Sequence, residues 1–199
     1  MKTSTSPLRK LALGLSTASL VALAAPAQAA PADFQIDPMH TFVYFEVVHF
    51  GTSTVRGRFN DVSGTISYDE AERKGKADIT VLTGSIDSGV EDFNEHLKSP
   101  DFFDVGKTPK ARFTSDRFEF DGETLRSISG QFTLLGKTLP ITLEAKRFNC
   151  YDQPVLKARM CGGDFETTIK RSQWGMNWGI DMGIPDEVRL LIQIEAAKQ

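Results

Sequence analysis

The sequence from residue 30 onward predicts an all-β antiparallel fold of about eight strands with one short helix. Apolar and polar residues alternate along most of this part of the chain, which is typical of strands with one buried face. Two glycine-containing turn dipeptides separate neighbouring runs. One segment has helical spacing of its apolar residues. Because each strand must bury its apolar face, we expect a closed barrel or a two-sheet sandwich.

The alternating runs identify the residues that we expect on the inner face. Apolar Phe132 and Leu134, for example, alternate with polar Thr133. The interior of an eight-stranded barrel is either filled by side chains or holds one small ligand, so these residues decide the function. The inward positions chosen in this way are Val43, Phe45, Val47, Phe59, Ile66, Ile79, Val81, Phe113, Phe132, Leu134, Ile169, Leu190 and Ile192.

Two turn signals support antiparallel pairing of neighbouring strands. Asp121-Gly122 predicts one hairpin, and Gly136-Lys137 predicts a second with glycine first, as a type II′ turn prefers. Residues 111–148 should therefore form a three-stranded meander. A change of apolar parity within its first strand predicts a bulge near Ser115.

One short helix is predicted over about residues 89–98, before a proline that ends it. Its apolar side includes Phe93 and Leu97. Ser88 and Glu91 have the spacing of a capping box at the helix start.

The first 29 residues have the pattern of a secretory signal peptide. Three basic residues precede an uncharged apolar run over 11–25, and Ala27-Gln28-Ala29 matches the small-x-small pattern of a cleavage site. We therefore expect residues 30–199 to form one domain in the bacterial periplasm. An uncleaved membrane anchor is the alternative interpretation of this segment.

Composition excludes several classes of function. A net charge of −3 provides no basic footprint for nucleic acid. The only long apolar run is the N-terminal one, which excludes a polytopic helical membrane protein. An outer-membrane barrel has the same alternation with its apolar face outward, but its strands need about 9–11 residues and most runs here are shorter. We therefore expect no stable membrane insertion.

Cys150 and Cys161 are the only cysteines, and an even number in an exported chain predicts one structural disulfide. A catalytic dithiol is the alternative, although redox motifs usually separate their cysteines by two residues and ten intervene here. Two cysteines without a nearby histidine also make a poor zinc site.

The sequence contains no convincing catalytic constellation. His40 and His49 fall on opposite parities of one predicted strand, which disfavours a shared metal ion, and His96 lies on the predicted helix. Neither a nucleophile motif nor a phosphate loop is present. We therefore predict no catalytic residue and no metal ligand.

Aromatic residues are abundant instead. Phe42 and Tyr44 occupy the face opposite the apolar inner parity of their strand, so that strand needs a second cover, either the helix or a partner subunit. Residues 172–185 include Trp174 and Trp178, and this segment is either a mobile apolar lip over a cavity or a plug of the barrel end.

Several short motifs occur together in an order that is typical of one family. From about Phe34 to Gln199 the chain resembles the YceI family of exported polyisoprenoid-binding proteins. The hairpin that joins the two cysteines and the C-terminal residues 192–199 resemble a neisserial-type branch. The motifs are Ile36-Asp37-Pro38-Met39-His40-Thr41, Phe45-x-Val47-x-His49, Val55-Arg56-Gly57-Arg58-Phe59, Gly84-Ser85-Ile86-Asp87-Ser88-Gly89, Glu95-His96-Leu97-Lys98-Ser99-Pro100-Asp101-Phe102-Phe103-Asp104 and Ser129-Gly130-Gln131-Phe132-Thr133-Leu134-Leu135-Gly136.

The resemblance implies a lipocalin-like antiparallel barrel with an internal apolar tunnel. It implies a long-chain isoprenoid lipid as ligand, isoprenoid quinones such as ubiquinone included, and a homodimer; no covalent cofactor is expected. One departure is visible, because Phe93-Asn94 stand where the family often has Arg-Asp before the Glu-His-Leu of the helix.

In such a tunnel we expect the inward positions to contact the ligand, together with His49 and Phe93. Leu97 and Phe102 are expected to close one end of the barrel, and Trp174 and Trp178 to guard the other.

The leading hypothesis is a periplasmic protein that carries or sequesters an isoprenoid lipid. The alternative is an interaction module with a filled barrel core, whose Phe42 and Tyr44 face binds a partner. A third hypothesis is an enzyme that uses His49 or His96 with a bound quinone.

Overall fold

The protein is a closed antiparallel barrel of eight strands with one α-helix, seen in a computed structural model that describes residues 1–2 and 30–199. Apart from its first two residues, the predicted signal peptide lies outside the described part. The strand segments are β1 (Ala32–Ile36), β2 (Phe42–His49), β3 (Ser53–Phe59), β4 (Val62–Asp69), β5 (Lys74–Leu82), β6 (Ile86–Asp87), β7 (Lys110–Asp121), β8 (Thr124–Leu134), β9 (Lys137–Gln153), β10 (Ala158–Lys170) and β11 (Glu187–Lys198). The helix is α1 (Glu91–Lys98), and single 3₁₀ turns cover Thr83–Ser85 and Arg171–Trp174.

The ring of hydrogen-bonded strands decides between the two predicted architectures. Neighbours pair in the order β1-β4-β5-β7-β8-β9-β10-β11, and β11 returns to pair with β1. β2 pairs with β11 further along, β3 pairs with β2, and β6 pairs with β3. The sheet is therefore a barrel and not a sandwich, with β2, β3 and β6 extending its wall at one end.

Charged side chains occupy the outer face of the wall. Arg56, Glu46, Arg189, Glu166 and Lys146 form a chain of alternating charges across β3, β2, β11, β10 and β9, with N–O distances of 2.5–3.1 Å. The Arg56 guanidinium holds the pKa of the Glu46 carboxyl below its ordinary value. Because the charges lie outside, the apolar parity of each strand points inward.

The predicted meander is confirmed, with one change of turn type. The first hairpin pairs Asp121 with Thr124, so its loop is Gly122-Glu123. The second pairs Leu134 with Lys137, and its loop is Leu135-Gly136, with φ of 49° and 75°. Two positive φ angles define a type I′ turn, so the type II′ prediction was wrong.

The predicted bulge lies in β7. The register with β8 shifts between Thr114 and Arg117, and the Ser115 hydroxyl donates to the backbone oxygen of Ser129 at 2.7 Å. This hydrogen bond links the two strands at the point where their register shifts.

The helix is present, but the predicted capping box is wrong. The N-cap is Val90, and no side chain caps the helix. Ser88 instead donates from both its backbone N–H and its hydroxyl to Asn94 Oδ1, each at 2.7 Å. Asn94 is buried, so this amide ties the first turn of α1 to the segment that precedes it.

The predicted disulfide is confirmed. Cys150 and Cys161 are bonded and lie directly opposite each other on β9 and β10. Aromatic side chains pack at the same end of the barrel, where the Tyr68 ring lies 6.3 Å from that of Phe118 and 5.6 Å from that of Phe148, measured between centroids.

Within residues 1–2 and 30–199, no helix is long and apolar enough to cross a membrane.

We expect the double substitution Cys150→Ala/Cys161→Ala to lower the free energy of unfolding by about 3 kcal/mol, because the bond closes a short loop in the unfolded chain. Urea unfolding followed by circular dichroism measures this difference. Reductant should lower the stability of the wild-type protein and leave the double variant unchanged; equal midpoints for the two proteins would contradict the prediction.

Candidate functional site

A cavity of about 710 Å³ occupies the interior of the barrel. Aliphatic and aromatic side chains from the inward parity of the strands form most of its lining. The polar liners outside the disulfide are few, and they are His49, Arg56, Tyr68, Thr83, Ser88, His96 and Arg171. A space of this size and character fits an apolar ligand of substantial length.

With the exception of Trp174, every residue predicted to bind the ligand lines this cavity. The alternation of apolar and polar residues predicted the strand positions among them, because one face of each barrel strand points into the closed interior. Contact of these residues with a ligand stays a prediction. The liners are Val43, Phe45, Val47, His49, Phe59, Ile66, Ile79, Val81, Phe93, Leu97, Phe102, Phe113, Phe132, Leu134, Ile169, Trp178, Leu190 and Ile192.

The two tryptophans lie at the helix end of the barrel, so the prediction that they guard the opposite end was wrong. The Trp178 ring contacts those of His96 and Phe102, with centroids 4.6 and 5.2 Å apart. Trp174 is buried behind Phe132 and donates its indole N–H to the backbone oxygen of that residue at 3.2 Å. Three strands separate β5 from β10, so these two strands run in the same direction. The segments that follow them therefore leave the barrel at the same end.

The opposite end is closed by an aromatic cluster that the sequence analysis did not identify. Tyr68, Phe118, Phe120 and Phe148 pack together there, beside the disulfide. Burial raises the pKa of the Tyr68 phenol. The apolar alternation of Phe118 and Phe120 was visible in the sequence, and the predicted bulge at Ser115 turns their parity inward, but the two residues were not included among the inward positions.

Arg171 was also missed, and it holds the tryptophan segment in place. Its buried guanidinium donates to the backbone oxygens of Met176 at 2.9 Å and Pro185 at 3.0 Å, with a longer contact to Ile184 at 3.5 Å. Desolvation lowers the pKa of this group. Asp186 accepts from the backbone N–H and the hydroxyl of Ser172, which fixes the other side of the segment.

The cavity opens beside β3. Among its described liners, only His49, Arg56 and Val90 are exposed to solvent. β3 pairs with β6 through Arg58 and Phe59 alone, so the wall separates beyond this point. The opening therefore lies between the β2–β3 hairpin and the residues that precede α1.

The three histidines do not form a common site. His40 lies in a turn, where its Nδ1 is 2.7 Å from Asp37 Oδ2, and this contact raises the pKa of His40. His49 lies at the opening, and His96 Nε2 is 3.2 Å from Asp101 Oδ2. Within the described part of the chain, the one cluster with metal-ligand composition combines Glu70 with both cysteines, whose sulfurs are already bonded to each other.

Phe42 and Tyr44 lie on the outer face of β2, and α1 does not cover them. The Arg58 guanidinium instead stacks over the Phe42 ring at 4.6 Å, and both aromatic residues stay partly exposed. The prediction that the helix covers this face of β2 is therefore wrong. Cover by a partner subunit stays a prediction.

We expect Arg171→Met to lower the free energy of unfolding by about 2–4 kcal/mol, because it removes the donors of buried backbone carbonyls. Urea unfolding measures the loss. Arg112→Met is the matched control, since it breaks only an exposed pair with Asp78 and should cost less than about 1 kcal/mol. Equal effects of the two substitutions would contradict a structural role for Arg171.

Comparison with known proteins identifies relatives along nearly the whole chain. The model of the YceI-like domain family matches residues 34–196. Protein YceI of Escherichia coli O157:H7 is 37% identical over 196 residues, which cover 96% of this chain and 100% of that protein. A UPF0312 protein of Pectobacterium atrosepticum is 35% identical over 194 residues, which cover 96% of this chain and 99% of the relative.

Solved structures share the fold. The Campylobacter jejuni YCEI protein superposes with a TM-score of 0.65 at 27% identity, covering 76% of this chain and 89% of that one. BcnA of Burkholderia cenocepacia gives 0.68 at 23% identity, with 81% and 99% covered. A polyisoprenoid binding domain from Saccharophagus degradans gives 0.61 at 16% identity, with 83% and 98% covered. The barrel, its apolar cavity and the full-length similarity together establish that the chain belongs to the YceI-like family.

Proposed function

We propose that the protein binds one long-chain isoprenoid lipid in its barrel cavity and carries it through the periplasm. The observation that carries this proposal is the apolar cavity of about 710 Å³ with its opening beside β3. The similarity to a structure described as a polyisoprenoid binding domain supports the choice of ligand class. Export by the N-terminal signal peptide is part of the same proposal.

Burial of the lipid chain would supply the free energy of binding. Transfer of an apolar chain from water is worth about 0.8 kcal/mol per CH₂ group before the loss of mobility is subtracted. Phe113, Phe132 and Phe165 offer large apolar contacts along the wall. No covalent attachment is needed, because a chain of many carbons gains enough from burial alone.

The ligand that we favour is an isoprenoid quinone such as ubiquinone. Its polar head would lie among His49, Ser88 and His96, the polar liners near the opening, while its tail would extend toward the Tyr68 cluster. This orientation leaves the apolar interior to the tail and the hydrogen-bonding groups to the head.

A binding role fits the cavity better than the two other hypotheses. An interaction module with a filled core requires an interior without space, and the interior holds a large cavity. An enzyme that uses His49 or His96 to activate a nucleophile would need a hydroxyl bonded to that histidine. In the described ranges, the cavity-lining hydroxyl of Ser88 bonds to Asn94 and Val90, and that of Thr83 bonds to Thr108. Tyr68 lies in the aromatic cluster at the opposite end, and the polar partner of His96 is the Asp101 carboxylate.

We also propose a homodimer that covers the outer face of β2. Phe42 and Tyr44 supply an apolar surface there, with Leu191 on the neighbouring strand.

We expect Tyr44→Arg to weaken self-association by at least tenfold, because it places a charge in that surface. Sedimentation equilibrium measures the effect, with exposed Gln131→Arg on the opposite wall as control. A wild-type protein that is monomeric at all concentrations would contradict the proposal.

The binding site is tested by a pair of substitutions on β8. Phe132→Asp places a carboxylate in the apolar cavity and should lower affinity for a short-chain isoprenoid quinone by at least a hundredfold. Thr133→Asp points outward, where the native hydroxyl contacts Thr138, and should change affinity by less than twofold. Quenching of tryptophan fluorescence measures both, because Trp178 lines the cavity.

Circular dichroism and urea unfolding must first show that each variant folds. If folded Phe132→Asp binds the quinone as tightly as the wild type, the ligand does not lie in the cavity. If the wild type itself does not bind any prenyl chain, the proposed function is wrong.

A further inference from the structure

Large apolar side chains are exposed around the opening of the cavity. They are Val48 (49% exposed), Phe50 (55%), Val90 (58%) and Met182 (57%), and we refer to them as the mouth rim. They come from the β2–β3 hairpin, the residue before α1 and the segment that Arg171 holds. Soluble surfaces expose single apolar residues routinely, but four around one opening form a patch.

Contacts between these segments place the rim at the opening itself. The Phe50 ring packs edge-on against His49, which lines the cavity, at a centroid distance of 4.7 Å. The backbone of Gly183, next to Met182, is so close to Phe50 that an added Cβ would lie 3.3 Å from its ring. Val90 lines the cavity and is exposed at the same time.

The hairpin that carries Phe50 projects from the barrel. β2 pairs with β11 only as far as Glu46, and β3 pairs with β6 only at Arg58 and Phe59. Between these points the backbone of the hairpin pairs only with itself, and Phe50 at its tip packs against Gly183. Phe50 follows the last residue of β2 in this hairpin and is half exposed, in a left-handed conformation with φ of 47°.

We propose that the mouth rim docks onto the surface of a lipid bilayer and that the ligand passes directly between bilayer and cavity. This inference rests on the proposed function, because a prenyl lipid partitions into membranes and not into water. The rim is continuous with the cavity, so docking would connect two apolar phases without exposing the lipid chain.

The size and shape of the rim favour a bilayer over a protein partner. Four half-exposed side chains present roughly 300–400 Å², below the ~800 Å² per partner of a stable protein interface. They project from turns and offer neither a groove nor a free strand edge to a polypeptide. Apolar tips of this kind can insert into the interfacial layer of a membrane, where binding scales with buried apolar area.

The charges beside the rim indicate which membrane surface it fits. Glu91, Asp92 and Asp181 flank Val90 and Met182 and are exposed. Arg56, the exposed cation at the opening, is paired with Glu46, so the charge beside Val90 and Met182 is acidic. Acidic side chains repel anionic lipid head groups, so docking should depend on apolar insertion into zwitterionic lipid. We therefore expect transfer to be slower when the bilayer contains anionic lipid.

The test measures transfer of a long-chain prenylquinone from phosphatidylcholine vesicles to the full mature protein, followed by quenching of tryptophan fluorescence. Direct transfer predicts a rate constant that rises with protein concentration, whereas passage through water is limited by desorption and predicts a constant value. Phe50→Asn/Met182→Gln should slow transfer at least tenfold. Asparagine tolerates the left-handed backbone at position 50.

The matched control is Val155→Asn/Leu156→Gln, which removes two exposed apolar side chains from the turn between β9 and β10, at the opposite end of the barrel. This variant should transfer the quinone as fast as the wild type. Both variants should bind a short-chain quinone added from ethanol with unchanged affinity, which shows that the cavity is intact.

Three outcomes would overturn the inference. The rim variant could transfer the quinone as fast as the wild type, or the control variant could be slowed equally, or the rate constant could be independent of protein concentration. In each of these cases normal binding of the ethanol-delivered quinone would leave the proposed function standing. Absence of that binding in the wild type would overturn both.

Discussion

The pairing of β11 with β1 is the interaction on which the rest of the structure depends. It joins the ends of the sheet into a ring, so that the apolar side chains of each strand point into an enclosed space. Eight strands make that space too wide for the side chains present to fill. The cavity is therefore a consequence of strand number and closure, and the apolar parity of each strand gives it its chemical character.

This dependence explains which features could be predicted from sequence. Alternation of apolar and polar residues is a local property, and closure converts it into an inside and an outside. Phe132 and Thr133 could thus be assigned to opposite faces from their spacing alone. The bulge at Ser115 was visible as a change of parity for the same reason, although its effect on Phe118 and Phe120 was not followed through.

Features that depend on contacts distant in sequence were predicted poorly. Trp174 and Trp178 were assigned to the wrong end because the direction of β10 relative to β5 follows from the number of strands between them. The role of Arg171 could not be recognised from the sequence, because its hydrogen-bond partners are backbone carbonyls and every residue has one. The capping box failed because Asn94 accepts hydrogen bonds from both donors of Ser88.

The two ends of the barrel differ in how firmly they are held. At one end a covalent bond and a packed aromatic cluster hold the strands together, whereas at the other β6 contributes only two residues to the wall. We therefore expect widening of the mouth to break few backbone hydrogen bonds and to cost less free energy than global unfolding. Such local opening would let a bulky guest enter or leave while the base of the barrel stays folded.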